Sequence, residues 1–228
     1  PSRPGGFLGI VPTPGRARES ERGRMTRQDA EFILTQAGAA KDGEFPLLEA
    51  ALACAVHEDP SRDPQAARDL AEAGVERLAE RLKRESPEEA LAETLAGDLR
   101  LAGDLFTYDH PDNADLIAVA ERRKGLPVAL GVYYLHVARS CGLTVRGVDF
   151  PGHFLLRIET EEGPLALDPS SEGRVVLPSE LTRRALHAGL TPDVADRLDR
   201  LMAPVSDRAV LIRLQNNVFA RASAVRAY

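Results

Sequence analysis

The chain has 228 residues, of which 43% are hydrophobic and 28% charged, and its net charge is −6. This balance is typical of a globular protein and excludes wholesale disorder. The body of the chain has no basic stripe and no apolar run near the ~20 residues of a membrane span, so we expect neither a nucleic acid partner nor a membrane partner.

Cysteine and histidine usage limits the possible chemistry. The two cysteines, Cys54 and Cys141, are too few for a disulfide framework or a four-cysteine zinc site. The five histidines have no metal-binding spacing, so the sequence predicts neither a metal nor a cofactor. Because the first residues lack the apolar region of a signal peptide, we expect a cytoplasmic protein.

Residues 1–24 form a Pro- and Gly-rich stretch that we expect to lie outside the fold, as an upstream extension or a start-site artefact ahead of Met25. Its clustered basic residues are explained by a solvated tail. They are Arg16, Arg18, Arg22 and Arg24.

Residues 25–105 are predicted to form a helical region. Thr26, followed three residues later by Asp29, is typical of a helix N-terminus. The apolar face of that helix is expected to hold Phe32, Ile33 and Ala37. Further helices are predicted over Phe45–His57, after Asp63-Pro64, and after a capping box of Ser86 with Glu89.

Residues 106–205 are predicted to form an α+β core with an antiparallel sheet. Asp112 or Asn113 is expected to cap a short helix that ends at Arg123, and the apolar segment Val128–Ser140 predicts a buried central helix ending before Gly142. Strands are predicted at Val145–Phe150, His153–Ile158, Pro164–Asp168 and Arg174–Leu177, and helix starts at Pro178 and Thr191. Residues 206–228 are predicted to be a final helix whose apolar stripe includes Leu211, Leu214 and Val218.

His153 and Asp168 are the residues that point to chemistry. In a hairpin that turns at Gly163, paired positions sum to about 322, so these two residues are expected to lie close together. A carboxylate beside an imidazole fixes its tautomer and stabilises its protonated form. Spacing alone leaves open a purely structural interpretation, in which the histidine and the Asp-Pro turn merely satisfy each other.

Several blocks of the sequence resemble SirB1-type proteins of the transglutaminase-like superfamily. These blocks are Arg122–Val128, Val137–Leu143, Phe150–Leu155 and Leu167–Pro169. The resemblance implies a papain-related core, in which a cysteine at the start of the central helix attacks a carbonyl with help from a histidine and an aspartate. By this resemblance, His153 matches the histidine and Asp168 matches the aspartate.

The cysteine of that triad has no counterpart here. The expected position is about Pro127, and the window Gly125–Gly131 contains neither a thiol nor a hydroxyl. Cys141 lies at the other end of the predicted helix, roughly 20 Å away at 1.5 Å per residue. Cys54 lies on the apolar stripe of another helix.

The leading hypothesis is therefore a catalytically degenerate transglutaminase-like protein that acts as a regulatory or adaptor module by binding a protein or peptide. Its binding cleft is predicted to include residues around the His153–Asp168 pair: Asn113, Arg123, Gly125, Pro127 and Gly152. One alternative is a hydrolase of amide or ester bonds in which His153 activates water and Asp168 orients it. Another is a scaffold that uses its helical first half within a larger assembly.

The resemblance also implies that residues 206–228 begin a tetratricopeptide-type segment of a longer protein. A single repeat helix cannot bury its own apolar face. We expect this helix to dock on the core; if its stripe is exposed instead, it would favour a partner or self-association.

Overall fold

The computed structural model describes residues 24–41 and 43–226. Helices come first, followed by a buried central helix, a four-stranded antiparallel sheet and further helices. This order confirms the predicted α+β class. The prediction for residues 1–24 falls outside the described residues, apart from Arg24.

The helices are α1 (Arg27–Ala39), α2 (Leu47–Glu58), α3 (Gln65–Arg81), α4 (Pro87–Ala92), α5 (Leu116–Arg122), α6 (Pro127–Ser140), α7 (Pro178–His187), α8 (Pro192–Ala195), α9 (Leu198–Leu201) and α10 (Asp207–Arg226). The strands are β1 (Ala102–Gly103), β2 (Lys124–Gly125), β3 (Val145–Val148), β4 (Leu155–Thr160), β5 (Gly163–Asp168) and β6 (Arg174–Val176). A π-helical turn, Glu93–Asp98, continues α4, and a 3-10 turn, Pro111–Asn113, precedes α5.

The start of α1 is the predicted capping box. The backbone N–H of Asp29 donates to the Thr26 hydroxyl (3.2 Å), and the N–H of Thr26 donates to the Asp29 carboxylate (2.8 Å). The predicted apolar face is confirmed at Ala37, which is buried, and is wrong at Phe32, which is 65% exposed, because α1 turns Ala30 towards the core instead.

Two other predicted caps are wrong. Ser86 makes no capping hydrogen bond, and α4 begins with Pro87, whose ring presets the helical φ. Asp115, rather than Asp112 or Asn113, caps α5 by accepting the N–H of Ala118 (3.0 Å). The reason is that Pro111 draws the two predicted caps into the separate 3-10 turn.

The central helix α6 confirms the predicted buried helix, and every side chain from Pro127 to Leu135 is buried. The Tyr133 hydroxyl donates to the carbonyl of Leu116 (2.7 Å), which anchors α5 against α6. Gly142 follows the helix with φ of +83°, the left-handed conformation predicted for it.

The sheet has the strand order β3-β4-β5-β6, and all neighbours are antiparallel. One face packs on α6 in the main core, and the other packs on α7, α8 and α9 in a smaller one. The paired positions of β4 and β5 sum to 323 rather than 322, as in Leu156 with Leu167, because only Glu161 and Glu162 separate the strands. The predicted strand starting at His153 begins two residues later, at Leu155.

The final helix α10 docks on the main core, as expected. Val210 and Leu214 are buried, and Arg139 of α6 donates twice to Asp207 at the start of α10 (2.7 and 3.0 Å). Such paired arginine–carboxylate bonds are among the stronger polar contacts. The outward side of α10 leaves Ile212 and Phe219 exposed.

Two short features had no signal in the sequence. The strands β1 and β2 pair in parallel over two residues each, and α9 is a single turn. Along residues 24–41 and 43–226, none of the helices combines the length and the apolar character needed to cross a bilayer.

The contact between α6 and the sheet depends on Gly131, because glycine has no side chain to occupy the space. A methyl group there would overlap the ring of Phe154, so we expect Gly131→Ala to lower the free energy of unfolding by about 1–3 kcal/mol. Gly38→Ala in α1 is the matched control, because nothing lies within 4 Å of a methyl group at that position. It should raise stability by about 0.5 kcal/mol. Urea unfolding of both variants measures this, and equal effects would contradict the close approach.

Candidate functional site

His153 lies in the turn between β3 and β4. Its backbone N–H donates to the carbonyl of Phe150 (2.9 Å), and Gly152 takes a φ of +70°, which few residues other than glycine adopt readily. This turn places the imidazole at the edge of the sheet, where it is 27% exposed.

Asp168 ends β5 directly beside His153. The Nε2 of His153 lies 3.1 Å from Oδ1 of Asp168. If the register of β4 and β5 is continued past Leu156 and Leu167, His153 faces Ser170 and is diagonal to Asp168. The structure therefore brings the two predicted residues together.

The carboxylate of Asp168 is 1% exposed and fully hydrogen-bonded. Oδ1 also accepts the backbone N–H and the hydroxyl of Ser170 (3.0 and 2.7 Å), while Oδ2 accepts the Ser171 hydroxyl (3.2 Å) and the Arg184 guanidinium (2.8 Å). Burial by itself would raise the pKa of Asp168, but the bonds from His153, Ser170 and Arg184 hold it below its usual value. Asp168 is therefore an anion in the folded protein.

The ionised carboxylate determines which tautomer of His153 is present. A carboxylate only accepts hydrogen bonds, so Nε2 carries the proton, and in the neutral imidazole Nδ1 is the basic nitrogen. Nδ1 has no hydrogen-bond partner in the part of the chain that the structure describes.

Ser170 does not supply the missing nucleophile. Its Oγ lies 3.4 Å from Nε2 of His153, but its hydroxyl proton is donated to Asp168. The nearby nitrogen of the imidazole carries a proton too, so His153 has no lone pair there to accept the serine proton. Ser170 holds the carboxylate in place.

Sequence reasoning missed Ser170, Ser171 and Arg184. The run Asp168-Pro169-Ser170-Ser171 carries a weak local signal, because aspartate side chains commonly accept N–H groups two residues ahead in turns. Arg184 gave no signal, since it reaches Asp168 only through the packing of α7. Its guanidinium is oriented by Glu180, which it contacts at 2.8 and 3.1 Å.

The start of α6 borders the same site. Pro127 and Val128 occupy the first turn of this helix and, with His153, line a cleft whose remaining walls include Tyr108, Arg213 and Asn217. The cleft has a volume of about 260 Å³, including its open mouth. No lining residue has a thiol, and the tyrosine has the only hydroxyl among them.

The two cysteines lie elsewhere. Cys141 caps the opposite end of α6, where its thiol contacts the carbonyl of Val75 (3.4 Å). Cys54 lies on α2. Burial raises the pKa of both thiols, so neither is activated as a thiolate.

The structure places some of the predicted cleft residues in the cleft and others outside it. Pro127 and Gly152 line the cleft beside His153. Asn113 is fully buried, and its side-chain amide donates to the carbonyl of Thr107 (2.6 Å). Arg123 adopts a left-handed φ of +61° as the C-cap of α5, and Gly125 packs against Val119.

A separate apolar concave region, with a volume of about 680 Å³, lies between β5, β6, α7 and α9 and includes neither His153 nor Asp168. Across the described ranges, no group of three or more His, Cys, Asp or Glu side chains is arranged to hold a metal ion.

The sequence profile of the transglutaminase-like superfamily matches residues 65–216, which include α6, the sheet, His153 and Asp168. The chain belongs to the transglutaminase-like superfamily. The match ends within α10, so it includes the first half of this helix.

The chain is similar to bacterial UPF0162 proteins. A UPF0162 protein of Xylella fastidiosa (strain Temecula1) is 35% identical over 184 residues, which cover 78% of this chain and 65% of that protein. A UPF0162 protein of Vibrio cholerae is 38% identical over 69 residues, covering 30% of this chain and 26% of that protein. The chain thus spans less than two thirds of the length of either protein.

A human protein is similar over a shorter stretch. The F-box only protein 21 of Homo sapiens is 35% identical over 69 residues, covering 30% of this chain and 11% of that protein. No solved structure matches the chain significantly.

We expect Asp168→Asn to lower the free energy of unfolding by about 2–4 kcal/mol at pH 7, because it removes the buried anion that pairs with Arg184 and His153. The pKa of Asp168 is lower in the folded chain than in the unfolded chain. The ionised form therefore stabilises the fold above pH ~4, and this contribution is lost as the pH falls below that value.

Urea unfolding from pH 7 down to pH 3 measures this difference, which should shrink in acid. Asp193→Asn is the matched control, because Asp193 is exposed on α8 and should change stability by less than about 0.5 kcal/mol. A difference for Asp168→Asn that stays constant with pH would contradict the assignment of a buried anion.

Proposed function

We propose that this protein binds a protein or peptide segment, without covalent chemistry, in the cleft between the start of α6 and His153. One observation carries the proposal: the first turn of α6 faces the His153–Asp168 pair with Pro127 and Val128, which offer no atom that attacks a carbonyl. Acyl transfer through a covalent intermediate requires such a nucleophile beside its base.

The sequence blocks around Gly125–Pro127 and Pro151–Phe154 support a place within the SirB1 type of the superfamily. In this proposal the histidine–aspartate pair is kept as a recognition group. Asp168 orients the imidazole and leaves Nδ1 free for a bound segment. Unprotonated Nδ1 accepts a hydrogen bond from that segment, and protonated Nδ1 donates one to it.

The loop beside the cleft supports a macromolecular partner. Leu105 and Phe106 are 81% and 94% exposed, and Tyr108 of the same loop lines the cleft. Aromatic side chains that remain exposed on rigid loops are common anchors of protein interfaces.

The buried side chain of Asp104 holds the start of this loop through hydrogen bonds. Its carboxylate accepts the N–H groups of Phe106 and Thr107 (3.2 and 2.9 Å), the Thr107 hydroxyl (2.5 Å) and the Arg122 guanidinium (3.3 Å). The bonds from Thr107 hold the pKa of Asp104 well below its usual value, so the anion persists at neutral pH. An ordered loop loses little conformational entropy on binding.

One observation favours a second candidate function, hydrolysis by an activated water. The unbonded Nδ1 of His153 is a base whose ring is oriented by Asp168, as general base catalysis requires. This candidate predicts turnover of amide or ester substrates that His153→Ala abolishes.

The experiment that separates these functions selects peptides from a random display library on the immobilised chain. We expect a recurring sequence that binds the intact chain, is weakened at least about tenfold by His153→Ala, and is neither cleaved nor acylated. His187→Ala is the matched control, because His187 is exposed on α7 and outside the cleft. Peptides cleaved in a His153-dependent manner would establish the hydrolase, and peptides held equally by His153→Ala would exclude the cleft.

The missing nucleophile also leads to a gain-of-function prediction. A cysteine at position 127 or 128 would lie at the positive end of α6 and beside His153. The helix dipole and the neighbouring imidazole would each lower the pKa of its thiol. We expect Pro127→Cys or Val128→Cys to react with iodoacetamide at pH 7 at least about tenfold faster than Cys54 and Cys141. Mass spectrometry of the labelled sites gives the rates.

The control for this prediction combines each new cysteine with His153→Ala, which should slow its labelling. A new thiol that reacts no faster than Cys54, in a variant that unfolds like the parent chain, would contradict the proposed geometry between α6 and His153.

A further inference from the structure

We infer that the cleft recognises a carboxylate group of its partner, which lies between the Arg213 guanidinium and the His153 imidazole. This inference rests on the proposed function and names the chemistry that the cleft would bind. It starts from the polar groups that converge there from three elements: α10, the β3–β4 turn and α6.

Arg213 supplies the positive charge. Its guanidinium stacks over the Phe154 ring (5.8 Å to the centroid), and its side chain is 29% exposed. One terminal nitrogen forms an ion pair with Asp149, whose own side chain is 60% exposed. The remaining N–H groups of Arg213 have no hydrogen-bond acceptor within the described ranges of the chain. A guanidinium presents five donors, so this arginine has donors left for an anion.

His153 and the first turn of α6 add uncommitted polar groups. Nδ1 of His153 makes no hydrogen bond among the described residues, and in the imidazolium form, which the Asp168 anion stabilises, it donates to an acceptor such as a carboxylate. The backbone N–H of Leu126 donates to Asn113 (2.8 Å), and Pro127 has no N–H. The N–H groups of Val128 and Ala129 come next, and neither has a backbone acceptor outside the helix ladder; Val128 lines the cleft, whereas Ala129 is fully buried. They belong to a helix of 14 residues, whose dipole adds positive potential at this end.

The charges around the cleft favour an anion. No residue that lines it is acidic, and Arg213 is the one lining residue that is permanently charged. The carboxylates that pair with the lining residues His153 and Arg213 are already engaged: Asp168 with Arg184 and His153, and Asp149 with Arg213. An ammonium group would find the Arg213 charge there and no free acceptor carboxylate, whereas an anion would find several donors.

The size of the cleft favours a carboxylate that is part of a larger partner. Pockets for complete drug-sized ligands measure ~300–1,000 Å³. The enclosed part of this cleft, at about 30 Å³, is far below that range. A planar carboxylate matches the planar fork of an arginine. Its source would be a peptide C-terminus or an Asp or Glu side chain.

The test titrates the intact chain with three small probes while recording NMR signals of the backbone amides and of the His153 ring. N-acetylglycine represents a C-terminal carboxylate, N-acetylaspartate N-methylamide represents a side-chain carboxylate, and N-acetylglycinamide is the neutral control. We expect one or both carboxylates to shift the His153, Val128 and Ala129 signals saturably, in the millimolar range typical of fragments. The neutral amide should leave these signals unchanged.

Arg213→Gln should weaken carboxylate binding about fivefold or more, since it removes the charge and keeps a polar side chain of similar length. Arg146→Gln is the matched control, because Arg146 is exposed on β3 and outside the cleft. Arg213→Lys keeps the charge without the fork and should show an intermediate affinity. The dispersion of the amide spectrum reports whether each variant is folded.

Equal binding of the neutral amide, unchanged affinity in a folded Arg213→Gln variant, or shifts confined to other surfaces would each overturn the inference. These failures are distinguishable from failure of the proposed function. Library peptides that require His153 but carry no carboxylate would overturn the carboxylate site and support peptide binding. Carboxylate probes that bind as expected, in a chain that selects no peptide, would support the site and count against peptide binding.

Discussion

The buried anion of Asp168 is the interaction on which the site depends. Its two oxygens accept five hydrogen bonds, from the β3–β4 turn through His153, from the turn after β5 through Ser170 and Ser171, and from α7 through Arg184. An unpaired buried carboxylate would be costly, so these segments hold one another in position around the charge. The orientation of the imidazole is one consequence of that arrangement.

Close packing sets how near the imidazole lies to the central helix. Phe154, next to His153, fits between Gly131 of α6 and Gly147 of β3, and a methyl group at either glycine would crowd its ring. The guanidinium of Arg213 stacks on the same ring. One aromatic side chain thus links α6, the sheet and α10, which form three walls of the cleft.

The His153–Asp168 pair therefore lies beside a first turn of α6 that holds no thiol and no hydroxyl. The groups around this turn that would orient a base and attract an anion form a small polar cleft. Those properties suit recognition of a polar group on a partner, and the exposed loop at Leu105 and Phe106 adds apolar surface beside it. The proposed binding and acyl-transfer catalysis would use the same electrostatics, because both place negative charge at the start of α6.

The sequence alone was enough to predict the features that arise from local patterns: the α+β order, the buried helix before Gly142, the Thr26 cap, and the His153–Asp168 pair across one hairpin. It also determined that no thiol stands near Pro127. Only the tertiary structure decided the register of that hairpin, the cap at Asp115, and the separation of Asn113 and Arg123 from the cleft. Arg184 and Arg213 reach the site from helices that are distant in the sequence. Such contacts depend on how whole helices and strands pack, and the periodicity of neighbouring residues does not reveal that packing.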